Sequence, residues 1–429
     1  MEGKQPDEPG PALPASVLIL GGGIAGSCAA QAIRQAGRDV RVTLLSEESE
    51  PVYSACVLAE YLAGEIPRER VFIRNRGPSA PETWRELRGR KAVRIELHRK
   101  RVELENGEPL PFDKLVLATG SRPLVPPWPG VDKAGVFALK TLEDADRIIR
   151  APGNEAVVVG SGPIGLEAAL ALRARGWRVT VLELMESLLP RLFPPVLARM
   201  LQSLLERQGV RVLLGERVRE IAGGARVEAV RTDRRTLPCR LALLAVGMRP
   251  EAGLAEQAGI RIGPSGGIAV DQTMRTSHPD VFACGDCAET VDRLTGRAGL
   301  NMLWANAKTQ GATAGQNCLG LGRRYPGALN LTTLKLLDTV AASVGEIALA
   351  DESCQEILSR HGDRCTVRLV TRDGLIRGIQ AVGPHLDMSV FLNMLLNGER
   401  LHSLRESGDK RVLIGRKPWL VRLPARLRE

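Results

Sequence analysis

VLILGGGIAGSC, from Val17 to Cys28, is the stretch on which the reading of this chain turns. Its four leading apolar residues, Val17 to Leu20, predict a buried parallel strand, and Gly21, Gly23 and Gly26 then stand at the spacing G-x-G-x-x-G before a small-residue helix, Ala29 to Gln35. Each glycine has a separate task. The first permits a tight turn, the second lets a pyrophosphate approach the backbone, and the third lets the helix pack on the strand. Phosphates then sit at the positive end of a helix, among backbone N–H groups with no partner in the helix.

The pattern recurs. After a second apolar strand, Ala156 to Val159, the chain reads GSGPIGLEAALALRARGWRVTVLE, with Gly160, Gly162 and Gly165 at the same spacing and a strand, Val179 to Leu182, ending in Glu183. The first glycines lie 139 positions apart (160 minus 21). One such spacing is weak evidence, but two complete strand–turn–helix–strand units predict two dinucleotide sites.

Composition sets the frame. At 429 residues and 44% apolar content the chain supports two or three compact domains, and 3% aromatic residues means cores of Leu, Val, Ile and Ala. No apolar run approaches the roughly 20 residues of a membrane span. The acidic, proline-rich start, MEGKQPDEPGPALPA, lacks a signal-peptide core, so a disordered lead-in and a cytoplasmic protein are expected. Half of the net charge of +10 falls in the tail Gly408 to Glu429, where Lys410, Arg411, Arg416, Lys417, Arg422, Arg426 and Arg428 face only Asp409 and Glu429. The tail is either a solvated surface or a dock for an acidic partner, and nothing resembles a nucleic-acid module. The eight cysteines show no ferredoxin-like run and no pair of C-x-x-C motifs, so neither an iron–sulfur cluster nor zinc is expected within the chain.

The first unit continues through a strand, Val40 to Leu45, beyond which Ser46 or Glu47 takes the place of the acid that meets an adenosine ribose. Lys91 to Leu117 alternates as short strands with a turn at Asn106-Gly107, then a strand, Leu115 to Ala118, meets Thr119-Gly120-Ser121-Arg122-Pro123. The second unit repeats that order: hairpin-like strands, Arg226 to Arg231 and Leu241 to Ala245, end at Val246-Gly247-Met248-Arg249-Pro250. A strand then meets Gly285-Asp286, followed by a helix, Leu303 to Leu319. A last section predicts strands Thr333 to Leu337, Thr366 to Thr371 and Ile376 to Val382, and a helix from Ser389 to Leu396.

In that order, GGGIAG, LVLATGSRP, GSGPIGLE, LLAVGMRP and DVFACGDCAE resemble the two-dinucleotide-binding-domain flavoproteins, the pyridine nucleotide-disulfide oxidoreductase class, over roughly residues 16 to 400. The resemblance implies an α/β fold: two Rossmann-like domains, one for FAD and one for NAD(P)H inserted in it, and a C-terminal α+β interface domain. The expected boundaries are a lead-in at 1–15, an FAD domain at 16–141 and 259–324, an NAD(H) domain at 142–258, an interface domain at 325–407 and a basic tail at 408–429. It further implies that Gly21, Gly23, Ile24, Ala25 and Gly26 hold the FAD pyrophosphate and that Ser46 or Glu47 lies by the ribose. Val93 then borders the adenine, Thr119 and Gly120 line the FAD, and Gly285 with Asp286 takes the ribityl and pyrophosphate side. Cys284 and Cys287 flank that Gly-Asp as incidental sulfurs. Gly160, Gly162, Ile164, Gly165, Glu183 and Gly247 belong to the nicotinamide cofactor. Because a carboxylate accepts a hydrogen bond from a 2′-hydroxyl and repels a 2′-phosphate, Glu183 favours NADH, with Arg173, Arg175 and Arg178 read as surface charges.

Two residues are candidates for chemistry. Glu167 resembles the family's acid that reaches toward nicotinamide and flavin, although Ala55 stands where rubredoxin reductases place a partnering lysine. Cys56, in Tyr53-Ser54-Ala55-Cys56-Val57-Leu58, resembles the single cysteine facing the flavin in coenzyme A disulfide reductases and NADH oxidases, but Val57, Leu58, Ala59 and Glu60 depart from that subfamily's Gly-Leu-Pro-Tyr. The resemblance therefore implies an FAD-dependent NADH:acceptor oxidoreductase whose partner is an iron–sulfur protein or rubredoxin, as in the flavin subunits of multisubunit aldehyde or 2-oxoacid oxidoreductases, working as a homodimer or hetero-oligomer. The alternative is an NADH oxidase, peroxidase or coenzyme A disulfide reductase that uses Cys56.

Overall fold

The computed structural model describes residues 14–37, 39–73, 83–348, 354–361, 365–384, 386 and 389–398, so most of the expected lead-in and the whole basic tail lie outside the described residues. The chain divides into two compact units, one of Met1–Ser54, Phe72–Arg122 and Arg249–Ala328, the other of Ala55–Val71, Pro123–Met248 and Leu329–Glu429.

The first unit is built on a parallel sheet in the order Val281–Ala283, Lys114–Leu117, Ser16–Leu20, Arg41–Leu45, Trp84–Leu87. Val17, Leu18, Ile19 and Leu20 are all buried, because a parallel strand in the middle of such a sheet is covered on both faces. Helix Ile24–Gln35 packs along helix Trp304–Cys318, whose Gly311 and Gly315 make the close approach possible. A Cβ on either would stand 2.1 or 2.2 Å from the carbonyl oxygen of Ala25 or Ala29. The first helix begins at Ile24 and not at Ala29: Gly23 is its extended N-cap, and Gly26 lies inside the helix, where its lack of a Cβ serves packing. Strand Trp84–Leu87 has no apolar run to announce it, since at the sheet edge its central Arg85 and Glu86 face solvent. The antiparallel excursion Ala92–Glu96, Arg101–Leu104, Pro109–Pro111 turns at Gly107, φ +82°, as the Asn-Gly pair predicts.

The second unit repeats the scheme with Val210–Leu213, Arg178–Leu182, Glu155–Val159, Leu241–Leu244, Val136–Phe137, again all parallel. Helix Pro163–Ala174 follows the second glycine turn. In both sheets the glycine-turn strand lies between the strand that follows it and one that returns much later in the chain. The crevice at such a reversal, outside the carboxyl ends of the strands, is where doubly wound sheets bind ligands. The unit also holds a five-stranded antiparallel sheet, Thr332–Leu336, Thr339–Gly345, Leu375–Gly383, Cys365–Arg372, Cys354–His361. Two of its strands, Thr339–Gly345 and Cys354–His361, escape the sequence pattern; Thr339–Gly345 reads TVAASVG, too rich in small residues for a period to show. The short turn Ala55–Val57 and helix Leu58–Ala63 belong to this unit as well. Tyr61 donates to Asp146 at 2.6 Å, and Arg68 pairs with the same carboxylate at 3.2 Å.

Candidate dinucleotide and redox sites

The two glycine turns divide their labour in the same way. Gly21 has φ +115°, and a Cβ there would fall 2.0 Å from the Ala118 carbonyl oxygen; one on Gly26 would fall 2.0 Å from the Gly21 oxygen. At Gly160, φ +103°, and Gly165 the same distances are 2.3 Å to Ala245 and 2.2 Å to Gly160. Chain-on-chain packing alone therefore requires the first and third glycines. A Cβ on Gly23 or Gly162 meets nothing within 4 Å. These middle glycines border open space at a helix N-terminus, which fits the group that the spacing predicts, a pyrophosphate.

Around the first turn, Ser46 is buried, and Glu47 beside it is exposed with its carboxylate 2.9 Å from Lys91 Nζ. Val93 sits at an irregularity in the pairing of Ala92–Glu96 with Arg101–Leu104, and its side chain is left 39% exposed. Ile24 is half-buried at the helix start, while Ala25 is buried beneath Gly285 and Gly311.

The Gly285–Cys287 turn is held by side chains that sequence reasoning did not single out. Ser121 Oγ donates to Asp286 Oδ2 at 2.6 Å, and the buried Gln310 accepts the Gly285 N–H at 2.8 Å. Cys287 Sγ reaches the carbonyls of Cys284 at 3.3 Å and Leu117 at 3.5 Å. Burial pushes both thiols up, so neither supplies the thiolate that disulfide exchange needs. Thr119 Oγ1 donates to the Glu251 carbonyl at 2.6 Å, and Gly120, φ +74°, accepts the Glu251 N–H. Ser-Arg after the Thr-Gly was the available signal for Ser121, but its link to Asp286 spans 165 residues.

In the second unit, Glu183 is pinned. One carboxylate oxygen accepts from Ser161 N–H at 3.0 Å and Ser161 Oγ–H at 2.6 Å, the other from Met185 N–H at 2.9 Å. Ser161 is fully buried and also accepts the Leu189 N–H at 3.2 Å. Beside this acid, Leu184 and Met185 are each 53% exposed, and Ile164 is exposed too. Gly247, φ +131°, accepts the Leu124 N–H. The three nearby arginines are engaged elsewhere: Arg178 with Glu155, Arg173 with the carbonyls of Trp177 and Gln208, and Arg175 with the Leu62 carbonyl.

Glu167, on helix Pro163–Ala174, has its carboxyl pushed up to about 7, first by burial and then by the charge of Glu60, against a hydrogen bond from the Lys335 backbone N–H. The packing of helix Leu58–Ala63 on helix Pro163–Ala174 brings the two acids together. Cys56 is exposed on the turn Ala55–Val57. Among the described residues no group of three or more His, Cys, Asp or Glu is arranged to hold a metal ion, and no helix is long and apolar enough to cross a membrane.

The family described as pyridine nucleotide-disulphide oxidoreductase matches residues 15–311. The chain is 33% identical over 347 residues to the NADH oxidase of Methanocaldococcus jannaschii, covering 78% of this chain and 76% of that one. It is 30% identical over 400 residues to the NADH-dependent phenylglyoxylate dehydrogenase subunit epsilon of Aromatoleum evansii, covering 90% and 93%. Among solved structures it resembles the reductase in the covalent putidaredoxin reductase–putidaredoxin complex, with TM-score 0.80, 26% identity, and coverage of 90% and 94%.

Proposed function

We propose that this chain, which belongs to the pyridine nucleotide-disulphide oxidoreductase family, passes electrons between NADH and a one-electron iron–sulfur protein, as the flavin subunit of a larger oxidoreductase. Membership makes it an FAD-dependent, NAD(H)-linked oxidoreductase. Bound FAD supplies hydride acceptance and release of electrons one at a time. The residues of this chain bind and orient. The turn at Gly21, Gly23 and Gly26 would hold the FAD pyrophosphate, Asp286, braced by Ser121, the ribityl side, and Val93 the adenine.

The turn at Gly160, Gly162 and Gly165 would hold NADH, with Glu183 on the ribose hydroxyls and Ile164, Leu184 and Met185 offering apolar surface to the adenine. The pinned Glu183 carries the cofactor preference: its carboxylate is fixed, and Arg173, Arg175 and Arg178 are already bonded, so none of these three waits for a 2′-phosphate. Glu167, with a carboxyl that titrates near neutrality, is suited to hold or release a proton beside the nicotinamide. The overall balance is one NADH and two oxidised carriers giving NAD⁺, two reduced carriers and one proton.

A protein acceptor is supported by the near full-length likeness to a dehydrogenase subunit and by the likeness to a reductase in complex with putidaredoxin. A second reading, oxidase or disulfide-reductase chemistry at Cys56, is favoured by that thiol's exposure and by the likeness to an NADH oxidase. Cys56→Ser separates them. NADH-driven reduction of an iron–sulfur protein survives the change under the first reading, whereas consumption of NADH with oxygen or a disulfide collapses under the second.

A further inference from the structure

We propose that Ser343, on the antiparallel sheet, is a positioning residue for NADH: through the loop 184–193 it keeps the Glu183 carboxylate in place for the ribose. This rests on the reading of Glu183 as the acid that meets the NADH ribose. Four hydrogen-bonded links run unbroken from that acid to the sheet. Ser161 Oγ–H donates to Glu183 Oε2 at 2.6 Å, and the same Ser161 oxygen accepts the Leu189 N–H at 3.2 Å. The Leu189 carbonyl accepts the N–H groups of Leu192 and Phe193 at 2.8 and 3.0 Å, which closes a tight turn. The Leu192 carbonyl then accepts the Ser343 hydroxyl at 2.7 Å, across 151 residues of chain. Ser161, Leu189 and Ser343 are buried, where water does not readily replace a lost hydrogen bond.

The loop needs such a brace. Leu189 has φ +50°, in the left-handed region that side chains other than those of Asn and Asp seldom adopt, and Pro190 after it favours extended backbone at Leu189. A conformation of that kind persists where the surroundings over-determine it. On the near side of Leu189, the Glu183 carbonyl accepts the Glu216 N–H at 2.9 Å and the Met185 carbonyl the Gly215 N–H at 3.1 Å. On the far side stands Ser343.

Ser343 is suited to be an anchor. Its strand, Thr339–Gly345, is paired on both sides, and Ser343 itself lies opposite Thr332 on one neighbour and Gln380 on the other. Ala341, Ala342 and Val344 around it are buried and apolar. A hydroxyl in that run is costly to bury without a partner, and its partner is the loop. Releasing Leu192 lets Leu189 leave the left-handed region, takes its N–H from Ser161 and frees the Ser161 hydroxyl to turn from Glu183. The carboxylate keeps its bonds from the N–H groups of Ser161 and Met185, so the site is loosened and not lost.

The test uses the FAD-loaded protein and Ser343→Ala, with Thr339→Ala as control; the Thr339 hydroxyl, on the same strand, bonds to Asp338 at 3.2 Å. Calorimetric titration should show NAD⁺ bound about threefold more weakly by Ser343→Ala and as in wild type by the control. The KM for NADH should rise in step, kcat with menadione should hold, and the preference for NAD⁺ over NADP⁺ should narrow. Ser161→Ala already cuts the chain, so adding Ser343→Ala to it should weaken NAD⁺ binding no further. A full further loss in that double variant would overturn the role of Ser343. So would a lowered melting temperature in Ser343→Ala with NAD⁺ affinity unchanged, which assigns the bond to stability alone. In both cases weak NAD⁺ binding by Glu183→Ala leaves the reading of Glu183 standing. Wild-type NAD⁺ affinity in Glu183→Ala overturns both.

Discussion

The two glycine turns share one backbone scheme and part company at the residue that follows the second strand. Ser46 and Glu183 occupy equivalent places, each sending its N–H to the next strand over, at Leu87 and Leu213, at 2.8 and 2.9 Å. Facing them are Gly22 and Ser161. In the first unit a Cβ on Gly22 would stand 2.7 Å from the Ser46 side chain, so two small residues close the gap and the nearest carboxylate, Glu47, is left outside with Lys91. In the second unit Ser161 donates to Glu183 twice and draws the carboxylate in. One facing pair of residues thus decides whether the acid is fixed or solvent-borne. If Glu183 meets a ribose, as proposed, it has lost its freedom before the ribose arrives, which sharpens discrimination.

The largest effects should separate packing glycines from ligand glycines. Gly26→Ala and Gly165→Ala force a Cβ into a carbonyl oxygen, and each is expected to destabilise its unit by about 3 kcal/mol in thermal or urea unfolding. Gly23→Ala and Gly162→Ala should leave the melting of the apoprotein within about 0.5 kcal/mol of wild type. Their cost should appear as weaker FAD binding for the first and a raised KM for NADH for the second. Equal loss of stability at both kinds of position would erase the distinction.

The pinned acid comes next. Glu183→Ala should lower kcat/KM for NADH by on the order of tenfold and narrow the gap to NADPH, with Ser161→Ala a weaker copy of the same change. Glu47→Gln, which removes only a surface charge and its pair, should change FAD affinity no more than about threefold, since exposed pairs contribute about 0–1 kcal/mol. An Glu47 effect as large as that of Glu183 would overturn the contrast.

The last expected effect is a pH slope. Because the folded carboxyl of Glu167 titrates near 7, above its ordinary value of 4.5, the native state holds a proton that the unfolded chain releases between those pH values. Stability from this group is therefore full below about 4.5 and lost as pH rises through about 7. Glu167→Gln should flatten that decline, by up to about 3 kcal/mol for a rise from 4.5 to about 7, and Glu60→Gln should lower the midpoint by relieving the like charge. Unfolding curves at several pH values measure both; a slope unchanged in Glu167→Gln would assign it to other groups.

Much of the scaffold was legible along the chain. The strands at Val17–Leu20 and Ala156–Val159 and both glycine turns are local signals, since burial on both faces demands an unbroken apolar run and a tight turn into a helix demands glycine. The same local logic misplaced the first helix start, because Gly26 resembles a breaker until the packing that requires it is seen. Strand Trp84–Leu87 was hidden because a sheet edge places no demand on hydrophobicity. Site residues whose partners lie far off in sequence, Ser121 with Asp286 and Gln310 with Gly285, carried no readable mark.

The amino-acid sequence by itself determined that two dinucleotide-binding units exist, in what order, and which glycines build them, because those features follow from steric rules acting over a few neighbouring residues. The tertiary structure alone decided which carboxylate is pinned, which arginines are already bonded, that Glu60 faces Glu167, and that the Cys56 turn belongs with the second unit. Such facts depend on which distant side chains packing brings within hydrogen-bond or Coulomb range, and no local rule encodes that.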